Sequence, residues 1–105
     1  SSMKTVINIA KKYIDHVKKS GIPVSAAYLF GSFAKGAAKN YSDIDICVIS
    51  PVFGKDYFEE MVKLSYLTHK VDDRIEPVPY KPEDLNDRYS TLAHEIKTFG
   101  ILLTK

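Results

Sequence analysis

Apolar residues recur at Ile7, Ala10, Ile14 and Val17, with Val6 and Tyr13 beside them, at the spacing of one helix face. Gly21 and Pro23 close that helix, since Gly accepts a left-handed backbone and Pro cannot continue the hydrogen-bond ladder. The mostly apolar run Val24-Ser25-Ala26-Ala27-Tyr28-Leu29-Phe30 reads as a buried strand. Gly31-Ser32 breaks it and starts a short helical turn through Phe33-Ala34-Lys35, and Gly36 to Ser42 forms a loop. A second strand runs from Asp43 to Ser50. Asp56 and Glu59 have capping-box spacing ahead of Tyr57, Met61, Leu64 and Thr68, which keep a helical period. A third strand, Arg74 to Tyr80, carries Pro77 and Pro79 two apart, so their missing N–H groups face one side, which is expected to be an unpaired edge. Ser90 or Thr91 can cap a last helix bearing Leu92, Ile96 and Phe99, and Gly100 ends it before a short strand, Ile101-Leu102-Leu103. Alternating helices and strands predict an α/β or α+β domain with one small mixed sheet and flanking helices.

The chain has 105 residues, enough for a single domain over residues 3–105; Ser1-Ser2, ahead of the first Met, are set aside. With 45% hydrophobic and 27% charged residues it is neither a disordered polar chain nor a membrane protein. No apolar run approaches the ~18 residues of a membrane span, and the start lacks a signal-peptide core, so a cytoplasmic location is expected. The single Cys47 excludes an internal disulfide or a multi-thiolate zinc site and reads as buried filler. Charge is uneven: up to residue 42, seven Lys face Asp15 alone, whereas twelve acids face eight Lys or Arg afterwards. Lys4, Lys11, Lys12, Lys18 and Lys19 read as the solvated face of the first helix, which leaves Lys35 and Lys39 to be explained. The mild net charge of +2 and the scattered Tyr residues give no strong nucleic-acid signal.

The chemistry concentrates in Gly31-Ser32 and, after ten intervening residues, Asp43-Ile44-Asp45. In a strand Asp43 and Asp45 project from one face about 7 Å apart, while Ile44, Ile46 and Val48 take the other. Their repulsion is relieved by a cation, and two carboxylates suit a hard, oxygen-seeking ion such as Mg²⁺. Taken alone, such a pair also fits a turn acid followed by a solvent-facing acid, and Gly31-Ser32 fits an ordinary helix cap. Together they differ: a strand-to-helix turn offers backbone N–H groups to an anion, so an anion cradle and a cation site at adjacent strand ends suit a metal-bound polyphosphate. Glu76 joins them if its strand pairs alongside; otherwise it is an exposed acid on an edge. Asp72 and Asp73 lie in the preceding turn and are expected to be solvated. His16, His69 and His94 are too far apart in sequence to suggest a shared centre.

The run Tyr28-Leu29-Phe30-Gly31-Ser32-Phe33-Ala34-Lys35-Gly36 with Ser42-Asp43-Ile44-Asp45-Ile46 resembles the polymerase beta nucleotidyltransferase superfamily, most closely the minimal nucleotidyltransferases. Lys35 replaces the more usual Arg, and Glu76 the more usual Asp. The resemblance implies transfer of AMP from ATP to a hydroxyl with two Mg²⁺ ions. It assigns Asp43, Asp45 and Glu76 to metal and catalysis, and Gly31, Ser32, Lys35 and Lys39 to the triphosphate. It also implies an antitoxin paired with a HEPN-domain toxin, with a Tyr hydroxyl of the toxin as acceptor. Two alternatives remain: a degenerate antitoxin that neutralises its partner by binding, and a small-molecule transferase of the aminoglycoside type completed by a second subunit.

Overall fold

The computed structural model describes residues 2–104. Helix α1 (Met3–Lys19) leads to strand β1 (Ala26–Phe30), which passes directly into the short helix α2 (Gly31–Lys35). Then come β2 (Ile44–Ile49), α3 (Tyr57–Thr68), β3 (Ile75–Tyr80), a 3₁₀ turn at Pro82–Asn86, α4 (Thr91–Phe99) and β4 (Ile101–Leu102). The strands form one mixed sheet in the order β3-β2-β1-β4. β1 runs antiparallel to both β2 and β4, while β2 and β3 are parallel. Mixed α/β architecture is therefore as the periodicity implies. No helix among the described residues is long and apolar enough to cross a membrane.

Several local devices differ from the sequence expectation. Ser2, set aside above, caps α1 by accepting the Thr5 N–H at 3.1 Å. The second and third strands each start one residue later than expected, so Asp43 sits just ahead of β2 rather than within it. Asp56 does cap α3 through the Glu59 N–H, but the reciprocal carboxylate belongs to Glu60, which accepts from the Gly54, Lys55 and Asp56 N–H groups. Ser90, not Thr91, caps α4.

The sheet is covered on both faces because successive side chains of β2 point oppositely. Ile44, Ile46 and Val48 pack with Val6, Ala10, Tyr13 and Val17 of α1 and with Leu64 of α3 in the larger core. The buried Tyr13 hydroxyl donates to the Leu64 carbonyl at 2.8 Å, which ties these two helices together. Cys47 and Ile49 take the other face, beneath Ile96 and Leu92 of α4. β3 is an edge, and the Arg74 and Tyr80 carbonyls accept from Ile44 and Ser50. The even positions of β3 thus pair with β2, and Pro77 and Pro79 turn their donor-less nitrogens outward, as the two-residue spacing predicts.

Candidate active site

The register of β1, β2 and β3 assembles the site. Asp45 of β2 lies opposite Phe30, the last residue of β1, and opposite Glu76 of β3. Opposed residues on adjacent strands point to the same face, so Asp45 is flanked by the Gly31 turn on one side and Glu76 on the other. Both carboxylates lie on the α4 side of the sheet, because their strand neighbours Cys47 and Val78 pack there.

Gly31 is required at its position for two reasons. Its φ of +73° is a backbone conformation that side-chain-bearing residues rarely adopt. A Cβ built there would also collide with the Asp45 carboxylate, which fills the space that Gly31 leaves. The missing side chain is the cradle in which Asp45 sits. Chain direction then converts directly from β1 to α2, and Phe30 at the cap position supplies no side-chain hydrogen bond to the first turn. Ser32 is partly exposed, and its hydroxyl makes no hydrogen bond among the described residues. Gly36, also left-handed at φ +74°, closes α2.

The electrostatics of this end of the sheet are dominated by acids. Burial, reinforced by the neighbouring charges of Asp43, Glu76 and Glu95, pushes the Asp45 carboxyl up to about 6. Asp43 and Glu76 are exposed and leave the cluster open to solvent. Among the described residues no three His, Cys, Asp or Glu groups already converge closely enough to hold an ion. The donor set nevertheless fits a hard divalent cation: its atoms are all carboxylate oxygens, and a cation would relieve the repulsion that, second to burial, raises Asp45.

The two lysines differ in setting. Lys35 is committed to Glu95 of α4 at 3.0 Å and lies 5.5 Å from the centre of the Phe99 ring. Lys39 is exposed on the following loop, where its N–H donates to Ser42 Oγ at 2.8 Å. Glu95 escaped the sequence reading because its link to Asp45 depends on α4 packing over α2 and β1, which no local spacing announces. Asp72, expected to be solvated, is instead half-buried and held by the Arg74 guanidinium at 2.9 and 3.1 Å, which keeps its carboxyl below the usual range. Asp73 is exposed and pairs with His69. Cys47 is fully buried, and burial pushes its thiol up to about 12, so it is packing rather than a nucleophile.

A family model described as a nucleotidyltransferase domain matches residues 10–97, from the middle of α1 through most of α4. The chain belongs to the nucleotidyltransferase domain family. Its fold is similar to that of a candidate nucleotidyltransferase from Sulfolobus solfataricus, with a TM-score of 0.70 and 20% identity over 95% of this chain and 80% of that one. It is also similar to a chain of a toxin–antitoxin complex with AMP-PNP, with a TM-score of 0.65 and 26% identity over 90% of this chain and 72% of the other. A third similar structure is a complex of a tri-AMPylated Shewanella oneidensis HEPN toxin with an MNT antitoxin. There the TM-score is 0.62 and the identity 22%, over 98% of this chain and 72% of that one. Among curated proteins none matches the sequence. In this nucleotidyltransferase domain the Gly-Ser turn and the acids of β2 and β3 meet at one end of the sheet.

Proposed function

We propose that this nucleotidyltransferase domain transfers AMP from ATP to a Tyr hydroxyl of a HEPN-domain toxin and so acts as that toxin's antitoxin. The observation that carries the reading is the register that sets Asp45 beside both the Gly31-Ser32 turn and Glu76. The similar complexes with AMP-PNP and with an AMPylated HEPN toxin support the choice of nucleotide and partner.

In the reaction the acceptor oxygen attacks the α-phosphorus of ATP, a P–O bond forms, and the bond to the departing pyrophosphate breaks on the opposite side. Ser32 and the uncapped first-turn N–H groups of α2 hold the triphosphate tail and orient that displacement. Asp43, Asp45 and Glu76 would hold two Mg²⁺ ions, which when bound supply positive charge to the attacking and leaving oxygens. Glu76, exposed on the edge strand, accepts the acceptor proton or passes it to solvent. Lys39 and Lys35 add cationic charge beside the phosphates, Lys35 by exchanging Glu95 for phosphate oxygens. The open setting of Asp43 and Glu76 favours an acceptor delivered by another macromolecule, and a Tyr phenol suits that because it reaches into a shallow site and loses its proton more readily than Ser or Thr.

The test is intact-mass spectrometry of a co-purified HEPN partner after incubation with ATP and Mg²⁺. AMP adducts on the partner, lost with Asp45→Asn, support transfer. A tight complex with no adduct under any metal condition would point to neutralisation by binding.

A further inference from the structure

On the outer side of α1 and α3, away from the carboxylates, three concavities share lining residues and form one continuous track. The first, about 190 Å³, lies between Lys12, His16 and Lys19 of α1 and Lys70 beyond the end of α3. The second, about 210 Å³, shares His16 and Lys70 and adds Tyr66 and His69. The third, about 410 Å³, shares Tyr66 and continues past Val62 and Lys63 to Phe58. Asp15 lines the first and Glu59 the third, so the track carries more Lys than acid, with its cations mostly at one end and its rings at the other.

Its charge is largely unspent. Lys12, Lys63 and Lys70 make no ion pair among the described residues, and Lys19 has only the exposed Asp15 at 3.0 Å. The rings are equally available: Tyr66 is 71% exposed and Phe58 75%. They stand two helical turns apart, about 12 Å, on one face of α3. Tyr66 also meets His69 in a T-shaped contact, with ring centres 6.2 Å apart.

The ligand must combine regularly spaced negative charge with flat apolar groups. An inserting membrane contact does not fit, because the apolar stripe of α1, with Val6, Ala10, Tyr13 and Val17, is fully buried in the core. A duplex supplies charge but hides the faces of its bases. We propose that this track is a second binding site that takes a single-stranded polynucleotide, with phosphates on Lys12, Lys19 and Lys70 and bases against Tyr66 and Phe58. That pairing of a cationic groove with aromatic platforms is the general means of holding single strands. It is invisible in the sequence, where Lys12 and Tyr66 are far apart. The site lies on the α1/α3 face whereas Asp45 and Glu76 face α4, so a strand and ATP occupy opposite sides of the sheet.

The test is fluorescence anisotropy of the full chain with a labelled single-stranded oligouridylate at low and moderate salt. Lys12→Gln combined with Lys70→Gln is expected to weaken binding about tenfold at low salt and to flatten the salt slope by about 1.4, the value for two lost phosphate contacts on a single strand. Tyr66→Ala is expected to cost about fivefold or more, and Tyr66→Phe to retain binding. Circular dichroism checks that each variant is folded, and Asp45→Asn is expected to bind the strand as the parent does. Undiminished binding by the double Lys variant would overturn the proposal, as would loss of binding in Asp45→Asn, which would put the strand in the transfer site. Equal affinity for a duplex, full displacement by millimolar inorganic phosphate, or equal competition by polyglutamate would each overturn it too. These outcomes indicate, respectively, a backbone-only contact, a lone-anion site and an acidic-polypeptide site.

Discussion

At Gly31 the absence of a side chain is what lets the carboxylate of Asp45 occupy its place. Gly31→Ala introduces a Cβ against that carboxylate and strains a backbone held at φ +73°. It is expected to destabilise the fold by about 1–3 kcal/mol in urea titration, the cost of a left-handed non-glycine residue plus the displaced acid. Asp45 works in the opposite sense. Its carboxyl is raised from 3.8 to about 6 by burial and by Asp43, Glu76 and Glu95, so the folded chain holds this proton more tightly than the unfolded one. The contribution to stability is fully present below pH 3.8 and is lost as pH rises through 6. Asp45→Asn should therefore melt a few degrees higher than the parent in chelator at pH 7, since about 1 kcal/mol moves a domain of this size by roughly 4–8 °C. The difference should vanish near pH 4. In Mn²⁺ titrations with ATP the same variant should bind far more weakly. Equal metal–nucleotide affinity in both proteins would remove Asp45 from the site.

Between elements, polar groups at helix ends and one buried hydroxyl fix how the helices meet the sheet. Glu60 gathers the N–H groups of Gly54, Lys55 and Asp56 at 3.0, 3.1 and 3.2 Å, pinning the loop that precedes α3. Slight burial raises its carboxyl, but these three donors outweigh it and hold the group below 4.5. Its contribution is thus present above 4.5 and is lost as pH falls through the lowered folded value. Glu60→Ala should cost about 1 kcal/mol at pH 7, and parent and variant should converge in acid when both are unfolded in urea. Tyr13→Phe removes the hydroxyl that donates to Leu64 and should cost about 1 kcal/mol with little change in the m-value. A larger loss, or a changed m-value, would mean that α1 and α3 rearrange.

For the molecule as a whole, the sheet separates an acidic end from a basic outer helix. The carboxylates face α4, while exposed Lys4, Lys11, Lys12, Lys18 and Lys19 line α1 on the other side. Asp43 and Glu76 are open, and no described element closes over them. A free aminoglycoside or sugar should therefore be modified inefficiently when offered with ATP and Mg²⁺, whereas a partner protein that docks beside Glu76 should be modified. Glu76→Ala should abolish the AMP adduct in intact-mass spectra while leaving the complex intact on size exclusion. Rapid modification of the small molecule would instead support a transferase of the aminoglycoside type.

Local patterns in the chain determined the order of elements, the edge character of β3 and the ten-residue spacing between Gly31-Ser32 and Asp43-Ile44-Asp45. Those features follow from periodicity, turn residues and proline's missing N–H, which act over a few residues. Capping-box spacing pointed to Glu59 as the reciprocal acid, whereas in the folded backbone it is Glu60 that meets the loop N–H groups. Local pattern also could not say whether Glu76 was a ligand candidate or a solvated edge acid. Parallel pairing of β2 with β3 in one register is what sets the exposed Glu76 opposite Asp45, since a slip of one residue would send it to the other face. Tertiary packing likewise brought Glu95 toward Asp45 and set the concavity of the α1 lysines beside that of Tyr66, the two sharing His16 and Lys70. Each of these relations joins groups through the folded backbone, where register and helix packing rather than local preference set the distance.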